Sequence, residues 1–112
     1  MKVRVINIDY VEIYEIPYKN FSNLIDKWSK HEYIDHFLFY TKYKNKYLTI
    51  DNESGQCYTE EFDSKDKALC WLIRNDYSAE EISKLQDIEA RHLITKSKYK
   101  VFSNKLEVQH GI

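Results

Sequence analysis

The stretch YLTIDNESGQCYTEEFDSKDKALCWL, residues 47–72, decides the fold that the sequence predicts. Apolar and polar side chains alternate through 46–51 and again through 56–62, which is typical of half-buried strands. The residues NESG at 52–55 separate the two runs and are of the kind that form turns, with the glycine suited to a left-handed backbone conformation. These features predict two antiparallel strands joined by a short loop.

The segments on either side extend this unit. A helix over 64–75 begins at Ser64, whose hydroxyl is suited to capping the free backbone N–H groups of the first turn. Upstream, 35–43 alternates in the same way as the two strands, and Lys44-Asn45 is suited to a two-residue turn in which the asparagine tolerates a positive φ. We therefore predict an antiparallel meander over 35–62, followed by a helix.

Pairing of Tyr43 with Lys46 across that turn decides which side chains share a face of the sheet, because alternate residues of a strand point to opposite faces. The face predicted to be core carries Phe39, Thr41, Leu48 and Ile50. The face predicted to be half-exposed carries Tyr40, Lys42, Tyr47 and Thr49.

The rest of the chain supplies the other predicted elements. Alternating patterns predict strands at 2–8 and 11–16 and an edge strand near 98–102. Apolar residues at helical spacing predict helices at 20–30 and 79–94. Together these elements predict one α+β domain that spans all 112 residues, with helices packed on an antiparallel sheet. The predicted core consists of Leu24, Trp28, Phe39, Leu48, Ile50, Phe62, Leu69, Leu72, Ile82 and Leu85.

Composition limits the classes of protein to which the chain can belong. Seventeen lysines and arginines oppose 18 aspartates and glutamates, for a net charge of −1. This balance excludes the uniformly basic surface of a general nucleic-acid binder and the strongly acidic surface of a DNA mimic. The apolar runs fall far short of the roughly 20 residues that a membrane helix requires. We therefore expect a cytoplasmic protein without membrane contact, in which Cys57 and Cys70 are reduced.

No motif in the sequence indicates catalysis or a cofactor. The run HEYIDH at 31–36 is comparable to the zinc-binding H-E-x-x-H, but His31 and His36 are spaced i, i+5 rather than i, i+4, and no third ligand is evident. Neither cysteine has a neighbouring base or a family motif, so both are expected to be small buried side chains. We predict a non-enzymatic protein with no metal, no cofactor and no disulfide.

Two charged features are candidate binding surfaces. The acidic group, predicted to bind a basic partner, consists of Glu53, Glu60, Glu61, Asp63 and Asp66. The Lys/Tyr hairpin, predicted to contact nucleic acid, consists of Tyr40, Lys42, Lys44, Lys46 and Tyr47. Lysine neutralises phosphate and tyrosine stacks on bases. Each feature also has a plainer interpretation: the acids as a solvated turn and helix start, and the lysines as protection of an exposed strand against aggregation.

Three short segments of 47–72 carry a resemblance to known proteins. They are the turn Ile50-Asp51-Asn52, the strand YTEEF at 58–62 and the helix segment ALCWL at 68–72. This arrangement resembles the strand–turn–strand–helix core of small proteins from phages and mobile elements of low-GC Gram-positive bacteria. It covers about a quarter of the chain, is structural in kind, and carries no active residue over to this sequence.

Some of those proteins inhibit bacterial defence systems, and anti-CRISPR proteins are among them. The resemblance implies an anti-CRISPR-like protein in the cytoplasm of the host bacterial cell. Such a protein binds a CRISPR effector nuclease or its guide RNA complex, as a monomer or homodimer, and blocks guide RNA or target DNA binding. The alternative function is a small nucleic-acid-binding phage regulator that contacts RNA or DNA directly through the Lys/Tyr hairpin.

Overall fold

The computed structural model describes residues 10–103 of the chain. This range contains nine helices and strands. In chain order they are β1 (Val11–Glu15), α1 (Tyr18–Ser29), β2 (Leu38–Tyr43), β3 (Lys46–Asp51), β4 (Tyr58–Phe62), α2 (Lys65–Ile73), α3 (Ala79–Ser83), α4 (Asp87–Leu93) and β5 (Tyr99–Phe102). This order confirms the α+β prediction, while the strand predicted at 2–8 lies outside the described residues. No helix in the described range is long and apolar enough to cross a membrane.

The five strands form one mixed sheet in the order β4-β3-β2-β1-β5. β2, β3 and β4 form the predicted antiparallel meander, and Tyr43 pairs with Lys46 as expected. β1 pairs in parallel with both β2 and β5. Parallel neighbours need long connections, and here α1 joins β1 to β2 while the other three helices join β4 to β5. The tight turn of the meander has its positive φ at Lys44 (58°) rather than at the asparagine predicted to adopt it.

Helices cover both faces of the sheet. The cluster beneath α1 consists of Ile16, Phe21, Ile34, Phe39, Ile50 and Cys57. The cluster beneath α2, α3 and α4 consists of Ile13, Leu38, Tyr40, Phe62, Ala68, Leu69, Cys70, Leu72, Ile82, Ala90 and Ile94. The prediction of a half-exposed second face is therefore wrong for Tyr40 and Thr49, which are fully buried. The cause is the second helical layer, which alternation within a strand does not reveal.

Most of the predicted core is found in these clusters. Phe39, Ile50, Phe62, Leu69, Leu72 and Ile82 are buried, and Leu24, Leu48 and Leu85 are partly buried. The prediction is wrong for Trp28, which is 43% exposed. α1 buries a single side chain, Phe21, whereas Trp28 lies two turns further on and reaches the loop that contains Gly55.

The prediction of a single helix over 79–94 is wrong, because this segment forms two helices, α3 and α4. The Glu89 carboxylate accepts a hydrogen bond of 2.8 Å from the backbone N–H of Gln86, and this reciprocal cap starts a new helix. Serine side chains cap the N-termini of α2 and α3. The Ser64 hydroxyl accepts from the backbone N–H of Lys67 at 3.2 Å and starts α2, and a full capping box at Ser78 starts α3.

Tyr40 presents a buried hydroxyl without a hydrogen-bond partner in the described structure. Burial raises the pKa of this phenol above its usual value, and the Glu15 carboxylate raises it further through its negative charge and through an interaction that falls short of ordinary hydrogen-bond geometry. An unsatisfied buried polar group costs stability, whereas an apolar group of the same shape does not. We therefore expect Tyr40→Phe to increase the free energy of unfolding by about 1 kcal/mol. Urea denaturation at neutral pH measures this change, and a loss of stability would mean that the hydroxyl has a partner.

Candidate functional site

The acidic group follows one border of the sheet, because β4 is an outermost strand. Glu53 lies in the loop that precedes β4, Glu60 and Glu61 lie on the strand, and Asp63 and Asp66 lie where the chain enters α2. Four of the five are exposed, and Asp66 is half-buried. The fold therefore arranges these acids along a single accessible edge.

Three of these carboxylates have basic partners within the molecule. Glu61 pairs with Lys46 at 3.2 Å, Asp63 pairs with Lys67 at 3.2 Å, and Asp66 pairs with Arg91 at 2.9 Å. Lys67 is itself buried, and its ammonium also donates to the backbone carbonyl of Ser83. These pairs neutralise part of the charge that the sequence suggests.

The other two acids, Glu53 and Glu60, have no ion-pair partner among residues 10–103. The backbone N–H of Glu53 donates to the Asp51 carboxylate at 3.1 Å, which holds the loop. Loss of hydration and the negative charge of Asp51 raise the pKa of the Glu53 carboxyl. Glu53 and Glu60 are thus the members of the acidic group that are free to attract a basic partner.

The Lys/Tyr hairpin is only partly available for contact. The prediction that Tyr40 stacks on a base is wrong, because this ring is fully buried between the sheet and the helices. Tyr47 is half-buried beneath the Lys42 ammonium, which lies 5.9 Å from its ring centroid. Lys46 is bound to Glu61. Lys42 and Lys44 remain exposed.

The structure adds Tyr18 to this hairpin, a contact that the sequence pattern does not reveal. The Tyr18 ring, at the start of α1, stacks on Tyr43 with 3.9 Å between centroids. The Lys44 ammonium lies 5.3 Å from the same Tyr43 ring. The tip of the hairpin therefore carries a stacked tyrosine pair with exposed Lys44 beside it, while exposed Lys42 lies over Tyr47.

A cleft lies at the opposite end of α1, where the sequence predicted no site. It has a volume of about 420 Å³. We call it the Trp28 cleft, and its walls include Trp28, His31, Glu32, Tyr33, His36 and Gly55. The segment that leaves α1 forms one wall and the 52–55 turn forms the other. The HEYIDH run thus lines a cavity together with the loop that carries Glu53.

Two contacts hold these walls together. The Trp28 indole N–H donates to the backbone carbonyl of Gly55 at 3.2 Å. Gly55 adopts φ +84°, and a Cβ at this position would lie 3.5 Å from Nε2 of His36. Any residue other than glycine would therefore be strained at this backbone conformation. The hydrogen bond holds Trp28 against the turn, and His36 lies close to the same glycine.

Buried Asn52 connects the two walls from below. Its amide nitrogen donates to the carbonyls of Ile34 at 3.3 Å and Asp35 at 2.9 Å. Its amide oxygen accepts from the backbone N–H of Cys57 at 3.0 Å. The bonds to Ile34 and Cys57 are buried, so water cannot replace these two. Asn52 therefore sets the distance between the segment after α1 and the turn.

Backbone strain is concentrated at the same place. Four residues between 10 and 103 have a positive φ, and three of them, His31 (63°), Gly55 (84°) and Cys57 (52°), lie on the cleft or on its Asn52 brace. Such conformations are uncommon for residues other than glycine and cluster where a fixed geometry serves binding. The strain, the cavity and the bracing identify the Trp28 cleft as a candidate binding site.

Neither cysteine is in an environment that favours a reactive thiolate. Burial raises the pKa of the Cys57 and Cys70 thiols, which disfavours the reactive thiolate. No group of three or more metal-ligating side chains occurs in the described part of the chain.

No protein-family model, curated protein or solved structure matches this chain significantly.

Proposed function

We propose that this protein is a non-enzymatic inhibitor of a bacterial defence system, of the anti-CRISPR type. It binds a CRISPR effector nuclease in the cytoplasm of the host cell and blocks the binding of guide RNA or target DNA. The observation that carries the proposal is the acidic edge at β4, where Glu53 and Glu60 have no ion-pair partner among residues 10–103. The resemblance of 47–72 to small phage proteins supports the same function.

The physical reason is charge complementarity. RNA-guided nucleases hold the guide and target in a positively charged channel. Carboxylates on a small protein complement such a channel, because opposite potentials speed the encounter and fix the orientation of the two partners. Tyr58 on the same strand is 58% exposed, and exposed aromatic side chains are frequent among the residues that dominate interface energies. The β4 edge thus combines charge with an aromatic anchor.

The second candidate function is a small nucleic-acid-binding regulator. The observation that favours it is exposed Lys44 beside the stacked rings of Tyr18 and Tyr43, with exposed Lys42 over Tyr47 on the same hairpin. Phosphate contacts by these lysines would make the affinity fall steeply with salt. A gel shift with RNA and DNA at two salt concentrations distinguishes this function from inhibition by protein binding, because the inhibitor needs no free nucleic acid.

The acidic edge makes a testable prediction about the inhibitor. The double change Glu53→Lys and Glu60→Lys is expected to weaken binding to the nuclease about tenfold or more, because attraction becomes repulsion at two positions. Reversal of Glu61 or Asp66 is expected to have a smaller effect, since each already has a basic partner within the molecule. Biolayer interferometry against a panel of CRISPR effectors, together with a cleavage assay, measures both effects.

The matched control is the double change Glu80→Lys and Asp87→Lys, at the starts of α3 and α4, which alters the net charge equally. We expect it to leave affinity within about twofold, because these acids lie outside the β4 edge. Circular dichroism confirms that each variant is folded. Absence of binding to every effector at micromolar concentration would contradict the function, whereas equal loss in both double variants would contradict the assigned surface.

A further inference from the structure

We propose that the Trp28 cleft receives one arginine side chain of the partner protein. The inference rests on the proposed function, in which the partner presents a basic surface, and it assigns a role to residues outside the acidic group. The cleft volume of about 420 Å³ is at the small end of ligand cavities, which run from roughly 300 to 1,000 Å³. It suits a single side chain better than a large cofactor.

The walls of the cleft offer flat aromatic faces to a planar cation. Tyr33 is 71% exposed, the largest exposed fraction among the large hydrophobic side chains between 10 and 103. Its ring stacks on His36 with 5.7 Å between centroids and 30° between planes, which positions the exposed Tyr33 ring. Trp28, 43% exposed, faces the cavity from the helix. Arginine stacks on such rings because its guanidinium is planar and weakly hydrated.

Charge selects a cation over an anion. Among residues 10–103, Glu32 is the one carboxylate in the cleft wall, and a carboxylate matches the forked N–H donors of a guanidinium. Residues 26–36 and 51–55 together carry five acids and two lysines, a net charge of −3 with histidine neutral. Lys30, one of the two lysines, pairs with Asp26 at 3.1 Å. A phosphate or a nucleotide would meet net repulsion in this place.

The cleft is built before its ligand arrives. The hydrogen bonds of Asn52 and the contact of Trp28 with Gly55 fix both walls. The segment after α1 turns sharply at His31, whose backbone N–H donates to the Trp28 carbonyl at 2.9 Å. A prearranged site loses less conformational entropy on binding. This explains why the strained backbone at His31 and Cys57 is useful for recognition.

The test uses the full chain and N-acetyl-arginine amide as the probe, followed by NMR. We expect saturable shifts of the Trp28 indole, Tyr33 and His36 signals with a dissociation constant of about 1–10 mM, as suits one isolated side chain. N-acetyl-citrulline amide, which has the same shape without the charge, is expected to bind at least about tenfold more weakly. Adenosine monophosphate, as the nucleic-acid probe, is expected to bind more weakly than the arginine derivative.

Two exposed positions supply variants that keep the fold. Glu32→Gln and Tyr33→Ala are each expected to weaken arginine binding about fivefold to tenfold. The matched control is Tyr58→Ala, which removes an exposed tyrosine from β4 and is expected to leave the affinity unchanged. The inference is overturned if no saturable shift occurs at the cleft, if citrulline binds equally well, or if adenosine monophosphate binds more tightly than arginine.

The outcome is independent of the nuclease assay. Arginine binding without any nuclease binding would contradict the proposed function, but the cleft would still be an arginine-binding site. Nuclease binding that is unaffected by Glu32→Gln and Tyr33→Ala would overturn the assignment of the partner's arginine to the cleft. Weakened nuclease binding by both variants is the result that the inference expects, whereas Tyr58→Ala, at the aromatic anchor of the β4 edge, is expected to weaken nuclease binding and leave arginine binding unchanged.

Discussion

Replacement of Asn52 by alanine is expected to lower the free energy of unfolding by about 3–5 kcal/mol, because each buried group left without a partner costs about 1–3 kcal/mol. The change would orphan two buried groups, the carbonyl of Ile34 and the N–H of Cys57, whereas the carbonyl of Asp35 would keep its hydrogen bond from the Phe37 N–H. Urea denaturation followed by circular dichroism measures the loss. The same variant should also fail to bind the arginine probe.

Two further changes test this interpretation. Asn52→Asp keeps the acceptor for the Cys57 N–H but loses both donors, and places a charge beside two carbonyls, so we expect it to be at least as destabilising. Asn75→Ala, at an exposed asparagine just after α2, should change stability by less than about 0.5 kcal/mol. A loss below about 1 kcal/mol in Asn52→Ala would mean that the loop rearranges and satisfies its own groups.

The second large effect is expected at Phe21. Phe21→Ala removes the single buried side chain of α1 and should cost about 3–5 kcal/mol, from lost burial and from the cavity that remains. Because α1 is the helix that covers this face of the sheet, hydrogen exchange of its amides should rise together with the loss of global stability.

Ile25→Ala is the matched control within the same helix. Ile25 is 38% exposed, so its truncation should cost less than about 1 kcal/mol. If Ile25→Ala and Phe21→Ala were equally destabilising, the contacts of Ile25 would hold α1 to the sheet as strongly as those of Phe21. That result would also require a different position for Trp28, which follows on the same helix.

The meander and the helix after it could be predicted from the sequence because their signals are local. The alternation in 35–62, the turn at Lys44-Asn45 and the cap at Ser64 each act within a few residues. The parallel pairing of β1 with β2 and β5 could not be predicted, since it joins segments that are distant in the chain. The burial of Tyr40 follows from that pairing and from the helices that cover it.

The candidate sites also differ in how far they could be predicted from the sequence. The positions of Glu53 and Glu60 on one edge follow from the predicted hairpin, whereas the partners of Glu61 and Asp66 depend on where Lys46 and Arg91 lie in space. The Trp28 cleft joins two segments that are about twenty residues apart. One signal was present in the sequence: aromatic and histidine residues are unusually dense between 28 and 37.

The pairing of β1 with β5 has a consequence for the order in which the chain folds. Val11 is paired with Tyr99, so the sheet is closed by two strands from opposite ends of the described chain. Contacts between distant segments form slowly, because a long loop must be ordered before it is stabilised. The meander with α2 can form early during synthesis, but β1 gains its second neighbour only once residue 102 has left the ribosome. Until then one edge of β1 stays open to other chains, which makes synthesis of β5 the step at which this edge is protected from aggregation.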